Sequence, residues 1–319
     1  MGIDLGGTKT AVVLGDEEAQ VFEKVSFATD HAGGPKKVIE DVRRAAEDVC
    51  RRRGMKVAEV EAVGVSCGGP LDSAAGVILG PPNLPGWDYV PIVAELQAFT
   101  GRPTWLDNDA NAGAVAEWKF GAGIGTRNMV FITAGTGFGA GLILDGRLYC
   151  GTNDMAGEIG HVRLERYGPW AYGKPGSVDG LCGGAGMARI ARQMMDEAAR
   201  RGVQSKLFMA ARTAPVTAKM VADAADDGDG LAQDILRAVG EYWGRALAIL
   251  VDILNPERIV LGSLAVRLGD KILAPAREAL AREALPRSAA VCHIVPAKLG
   301  ERLGDVAALC VAMRLGRQP

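Results

Sequence analysis

The amino-acid sequence predicts an α/β protein built from two lobes. Its 319 residues exceed the usual size of one domain, roughly 100 to 200 residues. Strand-like and helix-like segments alternate along both halves, and a strand, a Gly/Thr turn and a second strand occur at residues 2–14 and again at 129–144. We therefore expect a small lobe over residues 1–110, completed by a helix at 303–315, and a large lobe over 111–302, with a cleft between them.

Composition and charge exclude several classes of protein. The formal net charge of −2 and the 5% aromatic content fit neither a nucleic-acid-binding surface nor an acidic disordered tail. The six cysteines are scattered without a C-x-x-C pair, so neither a disulfide framework nor a zinc knuckle is indicated. No uncharged apolar stretch approaches ~18 residues, and no signal-like segment opens the chain. We expect a cytoplasmic protein with small-molecule partners, no nucleic acid and no membrane.

The first half of the chain alternates strands, helices and one rigid loop. Apolar residues at helical spacing among charged ones predict an amphipathic helix, and a buried strand precedes Cys67-Gly68-Gly69-Pro70. Three prolines between residues 81 and 87 predict a rigid loop that forms a ligand wall. In order we expect a hairpin at 2–14, a helix at 35–54, a strand at 60–66, the loop at 81–87, a helix at 91–100 and a strand at 103–106.

The second half repeats this alternation around one long irregular stretch. An alanine-rich helix follows Asp107-Asn108-Asp109-Ala110-Asn111, and strands begin at Asn128. Irregular stretches as long as residues 149–172 tend to carry function. Beyond it we expect helices at 183–201 and 231–255, a buried strand at 258–263 and the C-terminal helix at 303–315.

Two glycine-rich turns are candidate phosphate-binding sites. Glycine lets the backbone approach an anion, and turn N–H groups and threonine hydroxyls donate to phosphate oxygens. The second turn matches G-x-G-x-x-G/A, but a strand follows it where a dinucleotide fold requires a helix, and the first lacks the P-loop spacing. Two ordinary hairpins are the alternative, which the duplication disfavours. The candidates are Gly6, Gly7, Thr8 and Lys9 in the first turn, and Thr133, Gly135, Thr136 and Gly137 in the second.

Three polar residues, Asp107, Asn108 and Asp109, stand at the start of the alanine-rich helix. Each residue type also serves as a helix N-cap, but one cap is enough for a helix. The helix dipole favours a charged carboxylate at this position, which suits a group that accepts a proton from a hydroxyl. We interpret Asp109 as the candidate general base.

Glu158 and His161 are separated by three positions, with glycines at 157 and 160. The glycines let both polar side chains project to one side of a sharp turn, which suits recognition of substrate hydroxyls. A hydrogen-bonded structural histidine is the alternative. Their position in the long irregular stretch favours the binding role.

These motifs, taken in order, resemble the ROK family of sugar kinases and related repressors, within the hexokinase, actin and Hsp70 superfamily. The resemblance covers nearly the whole chain and is specific because six motifs match in sequence. It implies a two-lobed, actin-like ATPase (ribonuclease H-like) fold with an interlobe cleft, and ATP-dependent phosphorylation of a hexose held there. The matching segments are Asp4-Leu-Gly6-Gly7-Thr8-Lys9, Asn83-Leu-Pro-Gly86-Trp87, Leu106-Asp-Asn108-Asp109-Ala-Asn111, Thr133-Ala-Gly-Thr-Gly137, Glu158-Ile-Gly-His161 and Asn255-Pro-Glu-Arg-Ile-Val-Leu-Gly262.

The resemblance also implies roles for individual residues. Asp109 corresponds to the base that takes the proton of the attacking sugar hydroxyl, and Asp4 to a residue that organises Mg²⁺ indirectly. The two glycine-rich turns would flank the ATP phosphates, and Gly262 and Ser263 would lie near adenosine. Sugar contacts are implied for Asn83, Asn108, Glu158 and His161. The resemblance further implies a homodimer.

One segment departs from the family pattern. Most members carry C-x-C-G-x-x-G-C-x-E after the histidine, and here the three cysteine positions hold Trp170, Tyr172 and Ser177. Without thiolate ligands we expect no structural zinc, and the segment must be held by packing. Asp179 stands where the family has a sugar-contacting glutamate, and its side chain is one methylene shorter. The identity of the sugar is therefore left open.

Several functions compete at this point. The leading hypothesis is transfer of phosphate to O6 of glucose, and fructose, mannose, allose or an N-acetylated amino sugar are alternatives. A sugar-responsive repressor would carry a helix-turn-helix before the first phosphate turn, which here begins at residue 2. A sugar-binding protein without activity would leave Asp109 and both turns without a purpose. The short lead before Asp4 predicts that the natural chain begins further upstream.

Overall fold

The computed structural model describes residues 1–317 and divides into two compact units. The first unit contains Met1–Phe131, Gly141–Ala156 and the C-terminal residues from Lys298. The second contains Ile132–Ala140 and Gly157–Ala297. The boundary that the sequence predicts at residue 110 stays a prediction.

The strands are short, and most are flanked by glycine or proline. In chain order they are β1 (Gly2–Leu5), β2 (Lys9–Gly15), β3 (Val21–Ala28), β4 (Val63–Cys67), β5 (Leu71–Asp72), β6 (Val77–Leu79), β7 (Asp88–Val90), β8 (Thr104–Asn108), β9 (Met129–Ala134), β10 (Phe138–Leu144), β11 (Arg147–Tyr149), β12 (Trp170–Ala171), β13 (Lys174–Pro175), β14 (Arg258–Leu261) and β15 (His293–Pro296).

The helices range from four to 25 residues. In chain order they are α1 (Gly34–Arg52), α2 (Ile92–Thr100), α3 (Asp109–Phe120), α4 (Val178–Cys182), α5 (Gly184–Arg200), α6 (Lys206–Ala210), α7 (Ala218–Asp226), α8 (Gly230–Leu254), α9 (Leu264–Leu268), α10 (Asp270–Glu283), α11 (Pro286–Ala289) and α12 (Leu303–Ala312). Single 3₁₀ turns lie at Val57–Glu59, Ile159–His161 and Gly300–Arg302.

The main sheet of the first unit has the strand order β3-β2-β1-β4-β8. β1 pairs antiparallel with β2, whereas β1, β4 and β8 run parallel. In the parallel register Leu5 lies beside Cys67, and Cys67 lies beside Asn108. The carboxyl ends of three strands therefore meet at one edge, which is where ligands bind in open α/β sheets.

Helix α12 packs against β1 and β4, so the C-terminal part of the chain belongs to the core of the first unit. Glycine in both strands allows this close approach. A Cβ at Gly2 would lie 2.9 Å from backbone atoms of Ala308 and Leu309, and one at Gly64 would lie 2.5 Å from the Ala308 carbonyl oxygen and still closer to the Ala312 amide. Helix α1 covers β2 and β3 with its buried apolar face.

The second five-stranded sheet has the order β11-β10-β9-β14-β15, and β14 and β15 run parallel. Within the second unit the long helix α8 packs against α4, α5, α7 and α10. Gly240 and Gly244 of α8 lie directly against α10, because a Cβ at Gly240 would lie 2.8 Å from the Ile272 carbonyl oxygen and one at Gly244 would collide with that of Ala276. A small hairpin of β12 and β13 precedes α4.

The sequence predicted most of these elements, and the exceptions have physical reasons. The helix expected at 183–201 is confirmed as α5, but the short helix α4 before it was not predicted, and Gly183 is extended (ψ 163°) between the two. β3 was not anticipated, although its residues alternate regularly between half-buried and exposed. The rigid loop at 81–87 is confirmed as the connection between β6 and β7.

Within residues 1–317, the helices that are present are all too short or too polar to traverse a lipid bilayer.

Gly64→Ala tests the contact between β4 and α12. The added methyl group would meet backbone atoms that cannot rotate away, so we expect a loss of roughly 1–3 kcal/mol of unfolding free energy. The urea midpoint, followed by circular dichroism, measures it. Gly230→Ala is the matched control, because a Cβ there has no neighbour within 4 Å among the described residues. A Gly64→Ala midpoint equal to that of the control would contradict the packing described here.

Candidate active site

In the first unit the predicted site residues gather at the carboxyl edge of β1, β4 and β8. The turn after β1 is closed by a hydrogen bond from the Gly6 amide to the Lys9 carbonyl (3.2 Å) and by the Thr29 hydroxyl, which donates to the Gly6 carbonyl (2.6 Å). Gly7 lies against the backbone of Asn83, since a Cβ at Gly7 would collide with the Asn83 carbonyl oxygen. The first glycine turn and the rigid loop are therefore neighbours.

The segment after β4 also reaches this edge. An added Cβ at Gly68 would lie 3.2 Å from the side-chain Nδ2 of Asn83. One at Gly69 would lie 3.1 Å from the side-chain Nδ2 of Asn108. Gly69 is joined to Pro70 by a cis peptide bond. Two predicted sugar contacts thus face a glycine pair whose lack of side chains leaves the edge open.

Asn108 and Asp109 have different local roles. The Asn108 side chain is the N-cap of α3 and accepts hydrogen bonds from the amides of Ala110 (2.9 Å) and Asn111 (3.4 Å). Asp109 accepts one bond from Ala110 (2.8 Å), and its side chain stays exposed to solvent. Because Asn108 supplies the cap, the Asp109 carboxylate is available for chemistry.

Electrostatics at this edge disfavour negative charge. Desolvation by the surrounding protein raises the pKa of Asp109, although the side chain itself remains accessible to solvent. For Asp4, burial followed by the negative charges of Asp109 and Asp305 raises the pKa to about 6. Gly304 of α12 lies against the Asp4 carboxylate so closely that a Cβ would collide with it. An extra positive charge would be stabilised here.

The other residues of the first turn are solvent-facing. Thr8 and Lys9 are exposed, so their side chains are free to approach a ligand. The Thr8 carbonyl accepts a hydrogen bond from the Thr29 amide (3.1 Å), which fixes the turn from behind.

In the second unit the glycine turn between β9 and β10 meets the start of α5. The Gly184 amide donates to the Gly135 carbonyl (3.0 Å), and the Ala185 amide donates to the Thr136 carbonyl (3.4 Å). Gly183 packs on the same turn, where a Cβ would lie 2.8 Å from the Thr136 carbonyl oxygen. Thr136 remains exposed.

Asp179 also belongs to this turn. Its carboxylate accepts a hydrogen bond from the Phe138 amide (2.8 Å), and a Cβ at Gly137 would lie 2.7 Å from the same carboxylate. Burial raises the pKa of Asp179, and the Phe138 bond and the positive charge of Arg189 counteract part of this effect. The predicted sugar contact and the predicted phosphate turn are therefore joined directly.

Glu158 and His161 both lie at a 3₁₀ turn and stay exposed. Their side chains are 3.7 Å apart, between Nε2 of His161 and a Glu158 carboxylate oxygen. The His161 ring stacks on Tyr172, with 4.2 Å between ring centroids and 23° between planes. Tyr172 has a left-handed backbone conformation (φ 49°) that brings its ring over the histidine.

The segment without the cysteines is held by hydrogen bonds and packing. Trp170 pairs with Pro175 across the small hairpin, and Arg163 bridges to Ser177. The buried Ser177 hydroxyl caps α4 by accepting a bond from the Gly180 amide (3.2 Å). Across residues 1–317, no three His, Cys, Asp or Glu side chains are grouped so that they could bind a metal ion.

Gly262 and Ser263 follow β14. The Gly262 amide donates to the Ile132 carbonyl (2.9 Å), which places this turn beside β9. Ser263 is exposed and has a left-handed backbone (φ 51°, ψ −106°). Non-glycine residues in such conformations cost about 1–3 kcal/mol and concentrate at functional sites.

The sequence did not indicate several residues that shape the carboxyl edge of the first sheet and the glycine turn between β9 and β10. Gly304 and the Gly183-Gly184 pair make close backbone contacts that only the fold reveals. Tyr172 was noted only as a replaced cysteine, and Arg317, which pairs with Asp107, carries no motif. The high glycine content of the chain indicated close backbone contacts in general, but no local pattern points to Tyr172 or Arg317.

Comparison with known protein families assigns the chain to one of them. The sequence model described as "ROK family" matches residues 1–314. The chain belongs to the ROK family.

Relatives in this family include sugar kinases of known name. The chain is 32% identical to a glucokinase of Thermotoga maritima over 319 residues, covering 99% of this chain and 98% of that protein. It is also 32% identical to the N-acetylmannosamine kinase of Salmonella typhimurium over 232 residues, covering 70% of this chain and 77% of that protein. The resemblance to ROK sugar kinases is thereby confirmed.

Solved structures agree with this assignment. The ROK family glucokinase of Streptomyces griseus, in complex with glucose and AMPPNP, superposes with a TM-score of 0.80 at 28% identity and covers 98% of each chain. The predicted α/β, actin-like fold class of two lobes is confirmed by this likeness.

Proposed function

We propose that this protein is an ATP-dependent sugar kinase that transfers the γ-phosphate to a hexose hydroxyl, with O6 of glucose as the first choice. The observation that carries the proposal is the exposed Asp109 carboxylate at the start of α3, relieved of the capping role by Asn108. The glucokinase of T. maritima and the glucose and AMPPNP complex of the S. griseus enzyme support glucose and ATP as substrates.

Asp109 acts as the general base in this proposal. A carboxylate with a raised pKa holds a proton more readily, so it takes the proton of the attacking hydroxyl more effectively than an ordinary aspartate. The remaining task of the protein is positioning, because phosphoryl transfer depends mainly on alignment and charge neutralisation. Asn83, Asn108, Glu158, His161 and Asp179 are the proposed hydroxyl contacts.

Backbone donors and the threonines of the two glycine turns would hold the ATP phosphates. The residues of the first turn are Gly6, Gly7, Thr8 and Lys9, and those of the second are Thr133, Gly135, Thr136 and Gly137. We further propose that Gly262 and Ser263 contact the adenosine. The support is the exposure of Thr8, Lys9, Thr136 and Ser263, the close backbone contacts of Gly6, Gly7 and Gly137, and the family match.

We propose that Mg²⁺ accompanies ATP at the first edge. The residues fit such an ion, because the Asp4 and Asp109 carboxylates repel each other there and supply the oxygen atoms that Mg²⁺ prefers. Asp4 would orient the hydrated ion indirectly. When bound, the ion would neutralise phosphate charge.

A second sugar class has specific support. Asp179 has a shorter side chain than the family glutamate, which leaves room for a substituent, and N-acetylmannosamine kinase is among the relatives. An N-acetylated amino sugar is therefore the second candidate substrate. Fructose, mannose and allose remain in the same test.

Two further expectations concern assembly and location. We propose a homodimer, on the basis of family resemblance. We propose a cytoplasmic location because all six cysteines are free in the structure, which suits a reducing compartment.

The proposal is tested by ADP release in a coupled assay with glucose, mannose, fructose, allose and N-acetylmannosamine. We expect the highest kcat/KM with glucose, by at least about tenfold over sugars that lack one matched hydroxyl, because unpaired polar groups in the site cost binding energy. Highest activity with N-acetylmannosamine would select the second candidate. Absence of ADP release with every sugar would refute the kinase assignment.

Asp109→Asn tests the choice of base. We expect kcat to fall about 10²- to 10⁴-fold while glucose still binds, because the amide keeps the shape but takes no proton. Steady-state kinetics and glucose titration calorimetry separate the two effects. Asp88→Asn, an exposed aspartate on β7, is the control and should keep normal kcat.

The same experiment has a pH dependence. The base must be unprotonated, and the pKa of Asp109 is raised, so kcat should fall with acidification at a pH above the ordinary aspartate value of about 3.9. Near-normal turnover of Asp109→Asn, or a wild-type rate that stays flat down to pH 4, would exclude Asp109 as the base.

We propose that the protein contains no structural zinc. Mass-spectrometric metal analysis should find well below one zinc per chain, and incubation with EDTA should leave the melting temperature unchanged. The reason is that Trp170, Tyr172 and Ser177 offer no thiolate at the family's cysteine positions. One bound equivalent of zinc would overturn this interpretation.

A further inference from the structure

The buried carboxylate of Asp107 lies two residues before the proposed base. Only 6% of Asp107 is exposed, at the end of β8. Its Oδ2 accepts a hydrogen bond from Nε of Arg317 (3.0 Å), and Nη2 of Arg317 lies 2.9 Å from the same oxygen. A residue near the C-terminus thus supplies the charge that compensates a buried carboxylate.

The other oxygen of Asp107 organises the turn that carries Asp109. Oδ1 accepts bonds from the Asn108 amide (2.9 Å) and from the Asn111 side chain (3.3 Å). Asn108 and Asn111 flank Asp109 on both sides in sequence, and both are tied to this oxygen. The direction of the Asp109 side chain therefore depends on where Asp107 is held.

The charged state of Asp107 depends on its surroundings. Burial raises its pKa, whereas Arg317 and the bonds from Asn108 and Asn111 lower it. Burial keeps the nearby Cys150 thiol protonated, with a pKa of about 11. Asp154 Oδ1 lies 4.0 Å from the Nη2 atom of Arg317 that also contacts Asp107. Removal of Arg317 would leave the buried Asp107 carboxylate without its counter-charge.

The backbone before Arg317 is fixed by its own contacts. The Leu148 amide donates to the Gly316 carbonyl (3.0 Å), and the Leu315 amide donates to the Cys310 carbonyl (3.1 Å). Gly316 lies against Val115 of α3, where a Cβ would meet the side chain at 3.0 Å. Arg317 is therefore placed by a built segment of the first unit.

We propose that Arg317 is a positioning residue for phosphoryl transfer. It compensates the buried charge of Asp107 and holds that side chain in place, and Asp107 in turn fixes the Asn108 to Asn111 turn that directs Asp109 at the substrate hydroxyl. Arg317 itself touches no substrate. This inference rests on the proposed kinase function.

The first test compares Arg317→Gln with Arg314→Gln in the glucose-dependent ADP-release assay. Arg314 and Arg317 line one cavity beside Asp107. Arg314 is the matched control, because its guanidinium lies 5.4 Å from the centroid of the Trp105 ring. We expect Arg317→Gln to lower kcat about tenfold with the KM for ATP unchanged, since a small misplacement of a reacting group is costly. Arg314→Gln should keep wild-type kcat. Arg317→Lys, which keeps a cation, should recover part of the loss.

The second test separates positioning from simple stabilisation. In Arg317→Gln the buried Asp107 carboxylate loses its counter-charge and is expected to leave its place, which releases the bonds to Asn108 and Asn111. Adding Asp107→Asn removes the unpaired charge and keeps an oxygen acceptor for Asn108 and Asn111. The double variant should regain most of the lost kcat, with the KM for ATP unchanged in both variants.

Each outcome decides between the alternatives. Wild-type kcat in Arg317→Gln would overturn the inference, as would a double variant as slow as Arg317→Gln. If Arg317→Gln does not fold, the double variant decides alone, since it buries no unpaired charge: near-wild-type kcat supports the inference, and a tenfold loss overturns it. Inactivity of the wild-type protein on every sugar would refute the proposed function instead.

Discussion

The parallel register of β1, β4 and β8 is the constraint on which the candidate site residues of the first unit depend. It places Asp4 beside Ser66 and Ser66 beside Asp107, so that the residues following each strand leave the sheet at one edge. A shift by one residue would turn every side chain to the opposite face. The packing of α12 onto β1 and β4 therefore stabilises the site as well as the core, because it holds these strands in place.

Close backbone approach is the second common feature of both units. Gly7 against Asn83, Gly137 against Asp179 and Gly304 against Asp4 each bring main chain within the distance at which a Cβ would collide. Such contacts expose amides and carboxylates to a ligand without intervening side chains. Close backbone contacts of this kind explain part of the high content of 43 glycines in the chain.

The sequence predicted the parts of the site that local patterns encode. Asp109 could be selected because helix capping needs one residue and three were present, and the structure shows Asn108 in that role. Arg317 could not be selected, because its partner is 210 residues away and no local pattern around Arg317 distinguishes it. The break at Gly183 that separates α4 from α5 could not be predicted, because the five residues of α4 are too few to show a helical apolar pattern. Long-range pairing and backbone breaks depend on the whole fold.

The segment around Tyr172 illustrates how a site can keep its arrangement after losing a set of potential ligands. An aromatic stack orients the His161 ring from one side only, whereas a metal would bind one ring nitrogen and fix its direction. The stack contacts the face of the ring, Nε2 lies 3.7 Å from the Glu158 carboxylate, and Ser177 caps α4. Because an aromatic stack contributes only about 0.5–1.5 kcal/mol, the histidine has more freedom to adjust than a metal-bound one. We therefore expect this part of the second unit, with the shorter Asp179, to influence substrate preference in the proposed kinase.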